Sequence, residues 1–219
     1  MKILELFAGS RSFSKVAEDF GYMTYTSDYK NFKNIDQVCD IFNFNLNEAV
    51  KNLGGYPDIV WASPPCTYFS VASIGHHWNQ DHTPKTKEAI HGVNIVKKTM
   101  EIINDIKKQN KDLIYIVENP RGKLRKLNLI NPYFLHTVTY CQYGDDRMKP
   151  TDIWTNLNWI PKPICKNGDK CHQAAPRGSK TGTQGMKNSY EKSKVPYELC
   201  FELIKWIKDA KKTKSQNIS

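Results

Sequence analysis

Long hydrophobic runs are missing from the sequence. None of its apolar stretches approaches the roughly 20 residues that a helix needs to cross a bilayer, so we predict no transmembrane segment and no membrane partner. The apolar run at residues 2–7 contains Glu5 and is too short for a secretory signal, so we interpret it as a first strand. With 219 residues, the chain can form one core with a small appendage.

A disulfide framework is also missing. The six cysteines lie at positions 39, 66, 141, 165, 171 and 200, without the spacing of small disulfide-bonded domains. We therefore expect a reducing, intracellular setting and predict a cytoplasmic protein.

Acidic residues are scarce relative to basic ones. The chain has 32 Lys and Arg against 22 Asp and Glu, a formal net charge of +10. This balance favours a polyanionic partner such as nucleic acid; a basic surface that serves only solubility is the alternative. Residues 161–195 carry eight basic and two acidic side chains and show little periodicity. We interpret this segment as a loop-rich basic insert.

The glycines of a dinucleotide-binding fingerprint are largely absent, because only Gly9 follows the first strand. The order of elements nevertheless resembles a nucleotide site. The turn at residues 8–10 leads into a helix that ends at Gly21, and the next strand delivers Asp28 about 20 residues after the turn. The pattern is typical of a Rossmann-like unit and matches an NAD site only weakly.

Strands and helices alternate along the rest of the chain. We predict helices at residues 45–53, at 86–108 and after Pro196, and strands at 58–62, 113–117, 137–142 and 152–155. The helix at 86–108 would bury a stripe formed by Ile90, Val93, Val96, Met100, Ile103 and Ile106. Together the elements predict an α/β fold with a mostly parallel sheet flanked by helices.

Residues 67–84 show no clear period. The segment contains His76, His77 and His82 and is predicted as a mobile loop. We expect these histidines to face solvent or phosphate and not a metal.

Cys66 follows a strand and two prolines. Pro64 and Pro65 restrict φ and cannot donate to a sheet, so the chain leaves the strand stiffly and holds Cys66 at its carboxyl end. Ligands bind at that end in open α/β sheets, which makes the thiol a candidate nucleophile. A small buried side chain is the alternative role for this cysteine.

Three motifs in chain order resemble the DNA (cytosine-5) methyltransferase family. They are Leu6-Phe7-Ala8-Gly9-Ser10, then Pro65-Cys66 followed by Phe69-Ser70, and then Glu118-Asn119-Pro120. The resemblance covers about the first two thirds of the chain. It implies a Rossmann-like S-adenosylmethionine-dependent fold, with a catalytic core at 1–156, a target-recognition insert at 157–194 and a returning C-terminal helix at 195–219.

The resemblance also implies a reaction, namely methyl transfer to carbon 5 of a cytosine flipped out of double-stranded DNA. Carbon 5 is too electron-poor to react unaided, so the Cys66 thiolate would first add to carbon 6. Glu118 would stabilise the adduct at ring nitrogen 3, with a structural hydrogen bond as its alternative role. The resemblance makes Arg147 a third candidate catalytic residue, which would support the site near the base. It matches one arginine of a further motif, in which Lys149 replaces the second arginine and the glutamine is missing.

Six positions are implied to bind S-adenosylmethionine: Phe7, Ala8, Gly9, Asp28, Asp40 and Pro65. Phe7 would lie against the adenine, Gly9 would approach the methionine part and Asp28 would bind the ribose. Asp40 would bind the adenine amino group or remain a plain surface carboxylate. For the nucleic acid, we predict contacts from Lys149, Arg177 and Lys180.

Several alternatives remain at this point. The run Ser63-Pro64-Pro65-Cys66 partly resembles the motif of enzymes that methylate cytosine N4 or adenine N6. A non-catalytic nucleic-acid-binding protein on the same fold is a second alternative, and RNA is a less favoured substrate than DNA. A cognate restriction system is a possible partner.

A metal site is not predicted. Cys165, Cys171 and His172 could bind zinc, but their spacing is not standard and a fourth ligand would have to come from elsewhere.

Overall fold

The computed structural model describes residues 1–173 and 188–216. In this part of the chain the strands are β1 (Lys2–Leu6), β2 (Met23–Asp28), β3 (Gln37–Val38), β4 (Ile59–Ala62), β5 (Ile114–Pro120), β6 (Phe134–Thr139) and β7 (Pro150–Thr155). The helices are α1 (Ser12–Asp19), α2 (Leu46–Leu53), α3 (Ile74–His77), α4 (Lys87–Gln109), α5 (Ser189–Ser193) and α6 (Tyr197–Gln216). None of these helices is long and apolar enough to cross a membrane.

The strands form one mixed sheet in the order β3-β2-β1-β4-β5-β7-β6. The first five strands are parallel, and β7 runs antiparallel to both β5 and β6. The carboxyl ends of β1, β2, β4 and β5 therefore meet at one edge of the sheet. The order 3-2-1-4-5 is that of the Rossmann fold, so the predicted mostly parallel α/β architecture is confirmed.

The core has two halves, one on each face of the sheet. Successive residues of a strand point to opposite faces, so Ile3 packs in one half and Leu4 in the other. Helices α2 and α4 cover the face that contains Leu4, and α1 and α6 cover the opposite face. Because both faces are covered, β4 is buried at every position.

Residues 67–84, predicted as a mobile loop, contain regular secondary structure. The segment contains two short 3-10 turns, the helix α3 and a bridge between Trp78 and Pro84. Trp78 is buried, and its indole N–H donates to the carbonyl of Tyr68 at 2.7 Å. One buried aromatic side chain organises the segment, and such an anchor leaves no periodic pattern in the sequence.

The buried face of α4 differs from the predicted stripe. Ile90 is 48% exposed, whereas Ala89 and Gly92 are buried. A Cβ atom at Gly92 would lie 2.6 Å from the ring of Tyr68, so the absence of a side chain lets the helix approach the chain segment that follows Cys66. Steric fit, and not hydrophobicity alone, sets the orientation of this helix.

The prediction placed the end of β5 too early and shifted β6. Strand β5 continues through Glu118, Asn119 and Pro120 because the antiparallel partner β7 pairs with these residues. Strand β6 ends at Thr139, and residues 140–143 form a 3-10 turn in place of the predicted strand.

Candidate active site

Cys66 begins a 3-10 turn that follows β4 and the two prolines. Its carbonyl accepts hydrogen bonds from the amides of Phe69 and Ser70, both at 3.0 Å, and the residue is exposed. The carbonyl of Pro64 accepts a hydrogen bond from Asn119 Nδ2 at 2.8 Å. This bond ties the Cys66 turn to the end of β5, and a molecule that enters the site can reach the thiol.

A second connection joins the same two segments. The amide of Lys123 donates to the carbonyl of Phe69 at 2.7 Å. The neighbouring Gly122 lies so close to Phe69 that a Cβ atom there would collide with this carbonyl. The segments after β4 and β5 are thus packed backbone against backbone.

Glu118 lies in β5 and is 5% exposed. Its Oε1 atom accepts a hydrogen bond of 2.9 Å from the hydroxyl of Tyr140, a fully buried residue in the turn after β6. Burial and the adjacent carboxylate raise the pKa of Tyr140 well above its ordinary value. Tyr140 therefore remains a proton donor to Glu118 across the physiological pH range.

Lys149 is buried beside Glu118 and Cys66. Its Nζ atom donates to the carbonyl of Lys192 at 3.1 Å and lies 4.5 Å from the centre of the Tyr140 ring. Burial lowers the pKa of Lys149, whereas the nearby Glu118 and Cys66 act to raise it. The structure thus places Lys149, a predicted nucleic-acid contact, inside the site and not on the outer surface.

The ionisation of Cys66 depends on the same neighbours. Surrounding protein raises the pKa of the Cys66 thiol, the charge of Lys149 lowers it, and the charge of Glu118 raises it. The charge of Lys149 therefore favours the thiolate, and a charge on Glu118 opposes it. These three side chains form the chemical part of the site.

Arg147 extends toward the end of the insert. Its backbone amide and Nε donate to Asp145 Oδ1 at 2.7 and 2.8 Å, and its guanidinium forms an ion pair with the same carboxylate. The guanidinium also donates to the carbonyl of Lys194 at 3.4 Å. Arg147 and Lys149 thus bind the backbone carbonyls of Lys194 and Lys192, which lie a few residues after 174–187 in the sequence.

A cleft lies beside Cys66 at the carboxyl ends of β1 and β2. It is lined by Phe7, Ser27, Asp28, Tyr29, Cys39, Asp40, Ile41, Pro65, Thr67, Tyr68, His91 and Ile95. Two of these residues, Pro65 and Thr67, flank Cys66 in the sequence. A molecule bound in the cleft would therefore lie next to the thiol.

Asp28 is the best-anchored carboxylate of this cleft. Its two oxygens accept hydrogen bonds from the amides of Gly9 and Lys30, each at 2.9 Å. Burial raises the pKa of Asp28, and these amide donors oppose the rise. A carboxylate offers about four acceptor positions, so Asp28 can still accept from ligand hydroxyls. Aromatic and aliphatic walls beside it fit a nucleoside.

The other predicted cofactor residues differ in placement. Phe7, Asp40 and Pro65 line the cleft, and Asp40 is exposed, with Oδ1 accepting from the amide of Phe42 at 3.0 Å. Ala8 is buried, and its backbone N–H donates to the carbonyl of Ser27 at 2.9 Å. Gly9 reaches the cleft through Asp28, and its φ of +45° suits glycine best.

Sequence reasoning missed eight cleft residues, namely Ser27, Tyr29, Cys39, Ile41, Thr67, Tyr68, His91 and Ile95. Three of them directly follow a predicted site residue in the chain, and this adjacency is a usable signal for Tyr29, Ile41 and Thr67. His91 and Ile95 come from α4, and nothing in the local pattern marks them.

A basic groove lies next to the segments that follow Cys66 and Glu118. It is lined by Val71, Ile74, His82, Arg121, Gly122, Lys123, Arg125 and Lys126. Arg121 and Lys126 are exposed, whereas Lys123 is buried with its Nζ 2.7 Å from His82 Nδ1. Sequence analysis did not single out this groove, although four basic residues within six positions are visible there. The predicted contacts Arg177 and Lys180 lie outside the described residues.

The structure also brings together four potential metal ligands. Cys165, Cys171 and His172 of the insert meet Cys141 of the turn after β6, and one ligand atom from each lies within 4.8 Å of the others. Sequence analysis lacked this fourth ligand.

The strand order and strand directions define a Rossmann-like fold, with a cleft at the sheet edge beside a thiol and a carboxylate. Over 177 residues the chain is 29% identical to the probable DNA (cytosine-5)-methyltransferase of Frog virus 3 (isolate Goorha), a match that covers 78% of each chain. The predicted resemblance to the DNA (cytosine-5) methyltransferases is therefore confirmed. No protein-family model matches the chain.

A crystal structure of a DNMT2 mutant from Spodoptera frugiperda has 18% identity and a TM-score of 0.39 over 74% of this chain. The chain spans about half of that protein's length, namely 52%. The fold assignment rests on the strand order and strand directions described above.

Proposed function

We propose that the chain is an S-adenosylmethionine-dependent DNA cytosine-5 methyltransferase in which Cys66 is the nucleophile. The observation that supports this function most is the meeting of Cys66, Glu118 and Lys149 beside the cleft at the carboxyl edge of the sheet. A thiol, a carboxyl group and a cation in one site match the needs of nucleophilic addition to a pyrimidine.

The first step is addition of the Cys66 thiolate to carbon 6 of cytosine. The new sulfur–carbon bond uses the thiolate electron pair, and the pair of the 5,6 double bond moves toward carbon 5 and ring nitrogen 3. Glu118 holds or donates a proton at nitrogen 3, while Tyr140 fixes the position of its carboxyl group. Lys149 favours the thiolate before the attack, because its charge lowers the pKa of Cys66.

S-adenosylmethionine, when bound, supplies the electrophilic methyl group that carbon 5 accepts. Phe7 would lie against its adenine, Asp28 would accept from its ribose hydroxyls and Asp40 would accept from its amino group. Ala8, Gly9 and Pro65 would shape the cleft around it. Loss of the carbon 5 proton to a base then restores the double bond and expels the Cys66 thiolate, so the enzyme is regenerated.

We assign Arg147 a positioning role in this reaction. The resemblance alone would make it a catalytic residue, but its contacts with Asp145 and Lys194 favour support of the segment that carries Lys149. Lys149 then supplies the charge closest to the reacting groups. Lysine carries this charge on a single ammonium group, whereas arginine carries it on a planar guanidinium group.

Double-stranded DNA is the proposed substrate, with the reacting cytosine flipped from the stack. The net charge of +10 and the basic groove beside the site support a polyanionic partner. Arg177 and Lys180 would contact phosphates, and Lys149 would contact the flipped base. RNA is the less favoured substrate because the curated relative is named for action on DNA.

A covalent trap tests this proposal. DNA duplexes that carry 5-fluorocytosine should form a complex that survives denaturation, because the fluorine at carbon 5 cannot leave as a proton does. The native chain with S-adenosylmethionine should form the complex, and Cys66→Ala should form none while still binding the cofactor.

Two results would contradict the proposal. A trap that forms equally with Cys66→Ala would exclude this nucleophile. Methyl transfer to an exocyclic amine without any trapped complex would assign the chain to the amino methyltransferases. RNA duplexes and hairpins with the same base analogue provide the comparison between the two nucleic acids.

A further inference from the structure

Cys141, Cys165, Cys171 and His172 surround one point at the junction of the core and the insert. Cys141 Sγ lies 3.1 Å from Cys165 Sγ and 3.7 Å from Cys171 Sγ. His172 Nδ1 lies 3.7 Å from Cys165 Sγ and 3.6 Å from Cys171 Sγ. Three separate stretches of chain thus direct four ligand atoms toward a common centre.

These separations match the edges of a coordination tetrahedron. With Zn–S near 2.3 Å and Zn–N near 2.0–2.1 Å, two sulfurs lie about 3.7 Å apart, and a sulfur and a nitrogen about 3.6 Å apart. The Cys141–Cys165 separation is shorter than such an edge but well beyond the about 2.05 Å of a disulfide. A metal ion at the centre would need only a small outward shift of this pair.

We propose that these four side chains form a structural zinc site. Three thiolates and one imidazole in tetrahedral arrangement are typical of zinc, and four protein ligands leave no open position for a substrate. Cys141 is the fourth ligand that the sequence analysis did not find, because it precedes Cys165 by 24 residues. The earlier expectation of no metal is therefore replaced.

Surrounding groups orient the ligands, as expected around a metal centre. The side-chain amide of Gln142 donates to Cys171 Sγ at 3.3 Å, and the amide of Cys165 donates to Thr139 Oγ1 at 3.1 Å. The amide of Gly168 lies 3.3 Å from His172 Nε2. Coordination through Nδ1 puts the ring proton on Nε2, so we expect this last contact to lengthen when zinc binds.

The location of the site gives the metal a role in the architecture. Cys141 directly follows Tyr140, which holds Glu118, and the amide of Gln173 donates to the carbonyl of Asp146 at 2.9 Å. Zinc would therefore fix the start of the insert against the turn that supports the carboxyl group. This inference depends on the ligand geometry and does not depend on the proposed reaction.

Metal analysis of the full-length chain, purified under reducing conditions without chelator, tests the site. We expect about one zinc ion per chain in the native protein. Cys171→Ala and His172→Ala should lose it, while His172→Cys should retain it because four cysteines also form structural zinc sites. Cys171 is exposed and His172 only half-buried, so these changes leave the core intact.

Cys39→Ala is the matched control, since Cys39 lies outside the cluster and this variant should keep its zinc. Cobalt(II) gives an independent readout, because tetrahedral thiolate coordination absorbs strongly in the visible range. The absorption should appear with the native chain and disappear with His172→Ala, and circular dichroism should show that both proteins are folded.

Three results would overturn the site. The first is a native chain that neither contains zinc nor takes it up after refolding with the metal. The second is iron bound in place of zinc. The third is full zinc content in the double variant with both Cys171→Ala and His172→Ala.

Discussion

The two sides of the candidate site are built in different ways. On the proposed cofactor side, formed by residues 7–9, 28, 40 and 65, backbone amides hold the main carboxylate, Asp28. On the base side, formed by Glu118, Tyr140 and Lys149, side chains from distant segments hold one another, and Lys149 reaches a carbonyl 43 residues away. A site held by backbone depends on local motifs, whereas one held by side chains depends on the folded chain as a whole.

The largest effect should come from the base side. We expect Glu118→Gln to lower the rate of methyl transfer by about 10²–10⁴-fold, because the amide cannot supply a proton to the ring. Tyr140→Phe should cause a smaller loss, since it removes one hydrogen bond to Glu118 and leaves the carboxyl group in place.

A double-mutant cycle checks whether Tyr140 acts through Glu118. The effects of Glu118→Gln and Tyr140→Phe should be less than additive, as measured by single-turnover methyl transfer. Fully additive losses would mean that the base side is not one connected unit.

On the cofactor side, Asp28→Asn should weaken binding of S-adenosylmethionine by about 10–100-fold, the equivalent of about 1.5–3 kcal/mol for hydrogen bonds to a charged group. Asp40→Asn is the matched comparison, because Asp40 lines the same cleft but is exposed. Its effect should be smaller. Calorimetric titration of both variants measures the difference, and equal losses would contradict the leading role of Asp28.

The pH dependence of Cys66 alkylation should reveal the charge of Lys149. Surrounding protein raises the pKa of Cys66 and the lysine charge opposes the rise, so removing that charge in Lys149→Met should raise the pKa further. The thiolate then forms only at higher pH, and the alkylation rate of Cys66 by iodoacetamide should show its rising limb displaced toward alkaline pH.

Lys108→Met provides the control for this shift. Lys108 is exposed on α4 and pairs with Asp105, and its removal should leave the alkylation profile in place. An unchanged profile for Lys149→Met would show that the charge of Lys149 does not influence the ionisation of Cys66.

The smallest effect should come from the basic groove, outside both sides of the site. Lys126→Ala should weaken binding to DNA of any sequence. It should also make the decrease of log affinity with log salt less steep, by about one unit of slope. Lys111→Ala, an exposed change at the opposite end of β5, is the control. Fluorescence anisotropy over a salt series measures both slopes, and identical slopes would remove the groove from the DNA-binding surface.

Local sequence patterns predicted the secondary-structure elements that form the cofactor side. The strand, the glycine turn and Asp28 follow one another within 30 residues, and such short-range order can be recognised without knowledge of the fold. The same holds for Cys66, whose place after β4 follows from two prolines. The positions of these residues in the fold could therefore be anticipated.

The base side could be predicted only in part. Glu118 was found as a motif residue, whereas Tyr140 was not, because its hydrogen bond depends on the antiparallel placement of β7 and β6. Lys149 was expected to contact nucleic acid because it replaces an arginine of the family motif, and its place inside the site depends on a contact with Lys192, near the end of the insert. Cys141 was not predicted as a metal ligand for the same reason, because its partners come from a segment without periodicity.

The hydrogen bond from Asn119 to the carbonyl of Pro64 has a mechanical consequence. It joins the turn that carries Cys66 to the strand that carries Glu118, and neither of these two side chains takes part in the bond. In the proposed reaction, the thiol and the carboxyl group would thus keep their relative placement through an amide that itself does no chemistry.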